Sequence, residues 1–313
     1  MNQLIRKNAA FITAAHAGLA RTPKTLDPKW FYDDAGSALF EQITELPEYY
    51  PTRTEVQILT DCVSDLSGAV PDGSFLVELG SGASTKTRIL LDHVAHLSGY
   101  MPLDISGAFL AQIANGLQQD YPSLDIRPMV ADFMKPLRFP DDVAARPKVA
   151  FFPGSTLGNL SVDAAIALMR AVRNWPNVAG FVLGIDLVKS PRRLIAAYDD
   201  AQGVTAAFNM NILHRLNREG AAAIDPTAFR HKARWNAQDE RVEMHLVARL
   251  DTKFAVDGRD YQMRAGDSIH TENSHKYTRD RVARMARASG WRIDQWSTDA
   301  DQDFAVTVLL PSA

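Results

Sequence analysis

Between residues 74 and 186 the chain alternates short apolar runs with helical stretches, a rhythm that a parallel sheet covered on both faces satisfies. The runs cover residues 74–79, 100–104, 124–130, 149–153 and 180–186. Helices are expected over 86–96, 107–119 and 163–175, with Ser106 capping the second, while Pro128 puts the third run near a sheet edge or strand end. After Ser190 and Pro191 the rhythm breaks. Helical stretches over 194–201 and 204–219 lead into polar-alternating strands over 229–235 and 241–250, and Asp257 with Gly258 marks a hairpin between 253–256 and 259–263. From Thr278 the first rhythm returns, with a helix over 280–289 and strands over 291–298 and 304–310. Residues 1–60 show no convincing strand; prolines divide short helical pieces, and a helix follows over 54–62. The expected fold is α/β. A doubly wound, Rossmann-like sheet is built from 56–190 and 277–313, and a second domain from 1–55 and 191–276.

Composition excludes several classes of function. Lys and Arg number 34 against 37 Asp and Glu, a formal net charge of -3, so nothing announces a nucleic-acid binder. Cys62 is the only cysteine, which excludes an intramolecular disulfide and a Cys-rich zinc site. No apolar run reaches the roughly 18 residues of a membrane span. The N-terminal residues, Met1 to Lys7, lack a secretory pattern, so the expected compartment is the cytoplasm. His93 and His96 are three apart on an expected helix, but with no acidic or cysteine partners nearby they read as a surface face, and no metal is expected.

Gly80-Ser81-Gly82 follows the first strand and precedes a helix, where glycines let the backbone turn tightly and approach a ligand. Asp104 ends the second strand, where an acid can accept both hydroxyls of a ribose. Asp132 and Phe133 end the third, where an acid can accept an adenine amino group and a ring can flank the base. Capping or loop solvation is the plain alternative for each acid; three strand ends in succession argue against coincidence. Position 85 is threonine rather than the third glycine of the dinucleotide fingerprint. That favours S-adenosylmethionine, which has no diphosphate to cradle, over NAD.

Five further stretches are more specific: Pro28-Lys29-Trp30-Phe31-Tyr32-Asp33, Leu46-Pro47-Glu48-Tyr49-Tyr50-Pro51-Thr52-Arg53, Gly154-Ser155-Thr156-Leu157-Gly158-Asn159, the segment from Ala197 to Asn209, and Thr271-Glu272-Asn273-Ser274-His275-Lys276. With the glycine turn, they resemble the histidine Nα-methyltransferases of ergothioneine biosynthesis from about residue 20 to the C-terminus. The resemblance implies a class I methyltransferase domain carrying a substrate domain. It also implies trimethylation of the α-amine of L-histidine to hercynine, with three S-adenosylmethionines consumed. It assigns Gly80, Gly82, Lys86, Asp104, Asp132 and Phe133 to the cofactor, and Tyr49 and Tyr198 to the substrate carboxylate. Asn159 falls to the amine, Glu272 and Ser274 to the imidazole, with Tyr32 near that ring and Met244 lining its pocket.

The chemistry of these residue types fits those roles. Two phenols can hold a carboxylate without a buried arginine beside a sulfonium, and an asparagine offers both donors and acceptors to an amine. In a strand, positions two apart share a face, so Glu272 and Ser274 can converge on one ring. A ligand without ring nitrogens would leave them unpaired, at about 1–3 kcal/mol each, which favours histidine over tryptophan. Methyl transfer needs the amine lone pair aligned and neutral, so Asn159 is expected to align it and Tyr32 or a water relay to carry the proton. Three alternatives stand beside this reading. One is methylation of another amino acid or aromatic amine; another is a non-catalytic S-adenosylmethionine-binding regulator. A nicotinamide oxidoreductase follows only from the glycine turn taken alone. The expected partner is a small molecule, with neither nucleic acid nor membrane, and the oligomeric state is open, a monomer being compatible with the sequence.

Overall fold

The computed structural model describes residues 7–312 apart from Ala83 and Ser106. The expected cap at Ser106 and all but Lys7 of the segment read for a secretory signal therefore lie outside the described residues. The chain forms two compact units. One runs up to Tyr50 and takes Lys189–His275; the other takes Pro51–Val188 and resumes at Lys276.

The second unit is the doubly wound sheet. Across it the strands run Trp291–Thr298, Phe304–Pro311, Val178–Asp186, Lys148–Phe152, Phe75–Leu79, Gly99–Asp104 and Asp125–Ile126. The last five are parallel; Phe304–Pro311 pairs antiparallel with both Val178–Asp186 and Trp291–Thr298. Phe75–Leu79 and Lys148–Phe152 are buried at every position, as strands covered on both faces must be. Strand order reverses between these two, and ligands of such sheets gather outside the carboxyl ends at that point.

Two expectations for this unit are corrected. The run over 124–130 is not one strand: Asp125–Ile126 and Met129–Val130 pair separately with Gly99–Asp104, because Pro128 between them has no N–H to continue a ladder. The helix expected over 54–62 is longer, Tyr50–Gly68. Its buried stripe holds Glu55, Ile58, Leu59, Cys62, Val63 and Leu66, a period that continues past the expected end.

The first unit packs helices Ala9–Leu19, Asp34–Thr44 and Val204–Glu219 with a sheet ordered Lys24–Thr25, Ser268–His275, Arg241–Ala248, Phe229–Asn236. Lys24–Thr25 corrects the strand-free reading of the N-terminal segment; it pairs parallel with Ile269 and His270, and two residues are too few to show a period. The hairpin Thr252–Val256 to Arg259–Met263 turns on Asp257 and Gly258, both at positive φ, as a two-residue turn of this hand requires. Phe11, Phe31, Phe208, Ile212, Leu246 and Ile269 belong to its core.

Candidate functional site

In the second unit the expected cofactor residues sit at consecutive strand ends. Strand Phe75–Leu79 stops at Gly80, where φ turns to +66°, and Gly82 lies at +50°. A side chain at Gly80 would start 3.5 Å from the Phe133 ring, while one at Gly82 would start with no described atom within 4 Å. The turn is thus backed by an aromatic face and open on the other side. Gly80 and Ser81 donate to Leu103 O at 2.9 and 3.0 Å, and the Gly82 N–H points to Asp104 Oδ2 at 3.4 Å, which ties the turn to the next strand end. Asp132 accepts from the Met134 N–H at 3.0 Å, so one carboxylate oxygen orders its own turn. Phe133 meets Phe152 edge-on at 5.3 Å between centroids.

Lys86, at the start of helix Thr85–His93, is not free in charge. Its ammonium forms an ion pair with Glu55, a carboxylate with no exposed side-chain surface. Glu55 also accepts the Gly154 N–H at 3.0 and 2.9 Å. A side chain at Gly184 would meet Glu55 Oε1 at 1.8 Å, so the carboxylate fills the space that glycine leaves in strand Val178–Asp186. Glu55 therefore fixes both Lys86 and the turn that opens the Gly154–Asn159 segment. Sequence reading missed it and assigned it to the other domain; the available signal was an acid on an otherwise apolar helix stripe.

Glu78 is a second buried carboxylate under the turn. Thr87 Oγ1 donates to it at 2.6 Å and Tyr100 makes a short hydrogen bond to the same oxygen. Burial pushes its carboxyl up to about 7, against which the Thr87 and Tyr100 hydrogen bonds and Lys86 pull down. Asn159 ends the 3-10 turn Thr156–Asn159. That turn begins after Ser155, at positive φ, whose hydroxyl accepts the Asp186 N–H at 3.0 Å. Lys276 then closes on Asp186 Oδ2 at 2.6 Å, with both side chains essentially unexposed.

The first unit brings together the residues expected at the amino acid. Tyr198 and Ser274 share a hydrogen bond at 2.8 Å, and the Tyr49 and Tyr198 rings meet edge-on at 6.1 Å. Tyr32 stands edge-on to Phe40 and Phe208 at 5.8 and 5.6 Å. Its residue surface is 40% exposed, yet desolvation of the phenol, then the charges of Glu272, Tyr49 and Tyr198, hold it well above the usual tyrosine range. Glu272, Tyr49 and Tyr198 therefore all lie within electrostatic reach of Tyr32. Met244 is paired across the strands with Glu272, and Val242 with Ser274.

A register slip between Met244 and His245 shapes this wall. Along Ser268–His275 burial falls on positions 269 and 271, then on 272, 274 and 275; with Met244 paired to Glu272 but His245 to His270, the slip swaps the face shared with Met244 from odd to even positions. Glu272 and Ser274 thereby face inward together, as the two-residue spacing implied, while His270 and Asn273 face the other side. The histidine pair weighed from sequence does not share a helix face. The helix ends at His93, and His96 beyond it bonds Val70 O at 2.8 Å.

A family model described as histidine-specific methyltransferase, SAM-dependent, matches residues 11–311. A histidine N-alpha-methyltransferase of Mycolicibacterium smegmatis is 41% identical over 300 residues, covering 94% of this chain and 92% of that protein. Ergothioneine biosynthesis protein 1 of Neurospora crassa is 28% identical, covering 88% of this chain and 32% of that longer protein. Among solved structures, the CcbJ methyltransferase from Streptomyces caelestis superposes with a TM-score of 0.50 at 16% identity, covering 90% of this chain and 100% of that one, a likeness of fold.

Proposed function

We propose, from the premise that the chain belongs to the family of S-adenosylmethionine-dependent histidine-specific methyltransferases, that its two units divide the reaction between donor and acceptor. The enzyme methylates the α-amine of L-histidine three times to give hercynine, the first step of ergothioneine biosynthesis. The observation that carries the acceptor assignment is the grouping of Tyr32, Tyr49, Tyr198, Glu272 and Ser274, drawn from distant parts of the chain, in one unit.

Bound S-adenosylmethionine supplies a methyl carbon already activated by its sulfonium. The residues present suit that donor: a turn at positive φ backed by Phe133, with Asp104 facing the Gly82 N–H. Asp104 accepts the ribose hydroxyls, Asp132 the adenine amine, and Phe133 flanks the base. Lys86 is held in place by its ion pair with Glu55, which offsets its charge.

On the acceptor side Tyr49 and Tyr198 donate to the carboxylate. Glu272 accepts an imidazole N–H, Ser274 addresses the second nitrogen, and Met244 closes the apolar edge. Asn159 aligns the amine, whose free pKa of about 8 or above means that a proton leaves before attack. Tyr32 keeps its own proton at neutral pH because its phenol is pushed up. Its part is to pass a proton along a hydroxyl or water chain, not to act as a phenolate base. Among the described residues no helix is long and apolar enough to cross a membrane; family membership supports a small-molecule partner, and the cytoplasm stays the compartment expected from sequence.

The test is direct. Purified protein is incubated with S-adenosylmethionine and each of the twenty amino acids, and products are read by mass spectrometry. Successive addition of one, two and three methyl groups to histidine is expected. Methylation of tryptophan but not histidine would overturn the substrate, and no product at all would favour a regulator.

A further inference from the structure

Behind the wall that carries Glu272 and Ser274, on the opposite face of the same two strands, lies a group of side chains with no part in the reaction above. Glu243 and His245 are two apart on strand Arg241–Ala248, and His270 is paired directly with His245 from strand Ser268–His275. One donor atom from each of the three lies within 4.8 Å of the others. The register slip creates this grouping: it sends His270 to the face opposite Glu272, where the two imidazoles stack at 4.8 Å between centroids.

Each group is already oriented through its other heteroatom. Glu243 Oε1 accepts from Asn236 at 3.0 Å and from Arg241 at 2.7 Å, which leaves Oε2 aimed at His245 Nε2, 3.1 Å away. His245 Nδ1 meets Ser268 Oγ at 3.3 Å, and His270 Nε2 reaches the Glu272 carbonyl at 3.0 Å, with Nδ1 turned to the Asn273 side. Ligand histidines held at the far nitrogen by a hydroxyl or carbonyl, and a ligand carboxylate held by outer donors, are how metal sites fix their geometry. Asn273, paired across the strands with Glu243, adds a fourth group. Its Oδ1 is buried and meets no donor in full hydrogen-bond geometry, and its side chain makes a looser hydrogen bond with His270.

We propose that Glu243, His245 and His270, with Asn273 Oδ1 beside them, bind one divalent transition-metal ion of the zinc or nickel kind. The donor set selects the class. Two imidazoles and a carboxylate suit borderline ions held through nitrogen lone pairs, whereas Mg²⁺ and Ca²⁺ require shells of oxygen. Arg241 pairs with Glu243 and Arg234 acts on His245. The site thus has little net negative charge with which to hold a hard cation. The ion clamps the strand bearing Met244 to the strand bearing Glu272 from behind and takes no part in methyl transfer.

The experiment uses tag-free, chelator-treated full-length protein, titrated calorimetrically with ZnCl2, NiCl2 and MgCl2. Saturable uptake of one Zn²⁺ or Ni²⁺ per chain is expected, with no heat from Mg²⁺. Affinity falls at least about tenfold in both Glu243→Gln and His270→Ala; both positions are half-buried, and circular dichroism checks that each variant folds. Cobalt substitution should give a visible spectrum of nitrogen and oxygen ligation that both variants lose. Zinc heats unchanged in both variants, equal heats from Mg²⁺, or no saturable uptake at millimolar zinc would each overturn the site.

Discussion

The two regions proposed to hold donor and acceptor are built on different principles. In the second unit the donor region is backbone geometry at strand ends, anchored from below by the buried charges Glu55 with Lys86 and Asp186 with Lys276. In the first unit the acceptor region is side chains: phenols, a carboxylate and a hydroxyl on an aromatic floor of Phe40 and Phe208. A donor common to many enzymes can be held by a turn that any Rossmann-like sheet offers, whereas one amino acid must be told from nineteen by placed polar atoms. Damage to the first region should therefore appear as instability or lost donor affinity, and damage to the second as lost selectivity.

The largest effect should come from the anchors. Lys276→Met removes the ammonium that faces the buried Asp186 carboxylate, and stability should fall by about 3–5 kcal/mol, read by urea denaturation. Next comes Glu78. Its carboxyl titrates near 7 in the native protein against an ordinary value of 4.5, so between those values the native state holds a proton that the unfolded chain has released. The stability due to this group is therefore full below about pH 4.5, declines as pH rises to about 7, and is flat above. Glu78→Gln keeps a hydrogen-bonding group of the same shape, and the downward slope of stability across that window should flatten; an unchanged slope would assign it to other groups.

A crossed pair then tests the division itself. Glu272→Gln should raise KM for histidine by about 10–100-fold, the loss of a charge-assisted hydrogen bond, with KM for S-adenosylmethionine unmoved. Asp104→Asn should do the reverse, by about tenfold. Variants that each shift both constants equally would break the comparison.

What could be read from sequence follows the same line. The glycine turn, Asp104 and Asp132 with Phe133 were legible because each lies in a local strand–turn–helix signature. The acceptor residues lie in segments spread from Tyr32 to Ser274, and no period or spacing joins them; only the resemblance of long motifs brought them onto one page. Glu55 was missed because a single acid in a helix looks solvated until the neighbouring apolar stripe is noticed. The slip at Met244 and His245 was invisible as well. Strand alternation treats 270, 272 and 274 as one face, and only the paired partner reveals that the face changes. The split of the strand expected over 124–130 was half legible, since Pro128 marked the break without saying that pairing resumes after it.

The smallest expected effect concerns Tyr32, and it bears on which region holds the titrating group. Desolvation and the nearby Glu272 raise the phenol, so Tyr32 stays protonated throughout any practical assay range, and the rate should rise with pH as the substrate amine, at about 8 or above when free, loses its proton. Tyr32→Phe removes a link in a proton path without removing the titrating group. The expected result is a drop in kcat of less than about tenfold, with the midpoint of the pH profile unmoved and KM for S-adenosylmethionine unchanged. A midpoint that shifts in the variant would mean that the phenol itself titrates, contrary to its surroundings. Wild-type kcat at every pH would mean that the proton leaves by water alone, and the aromatic floor would then serve only to shape the pocket.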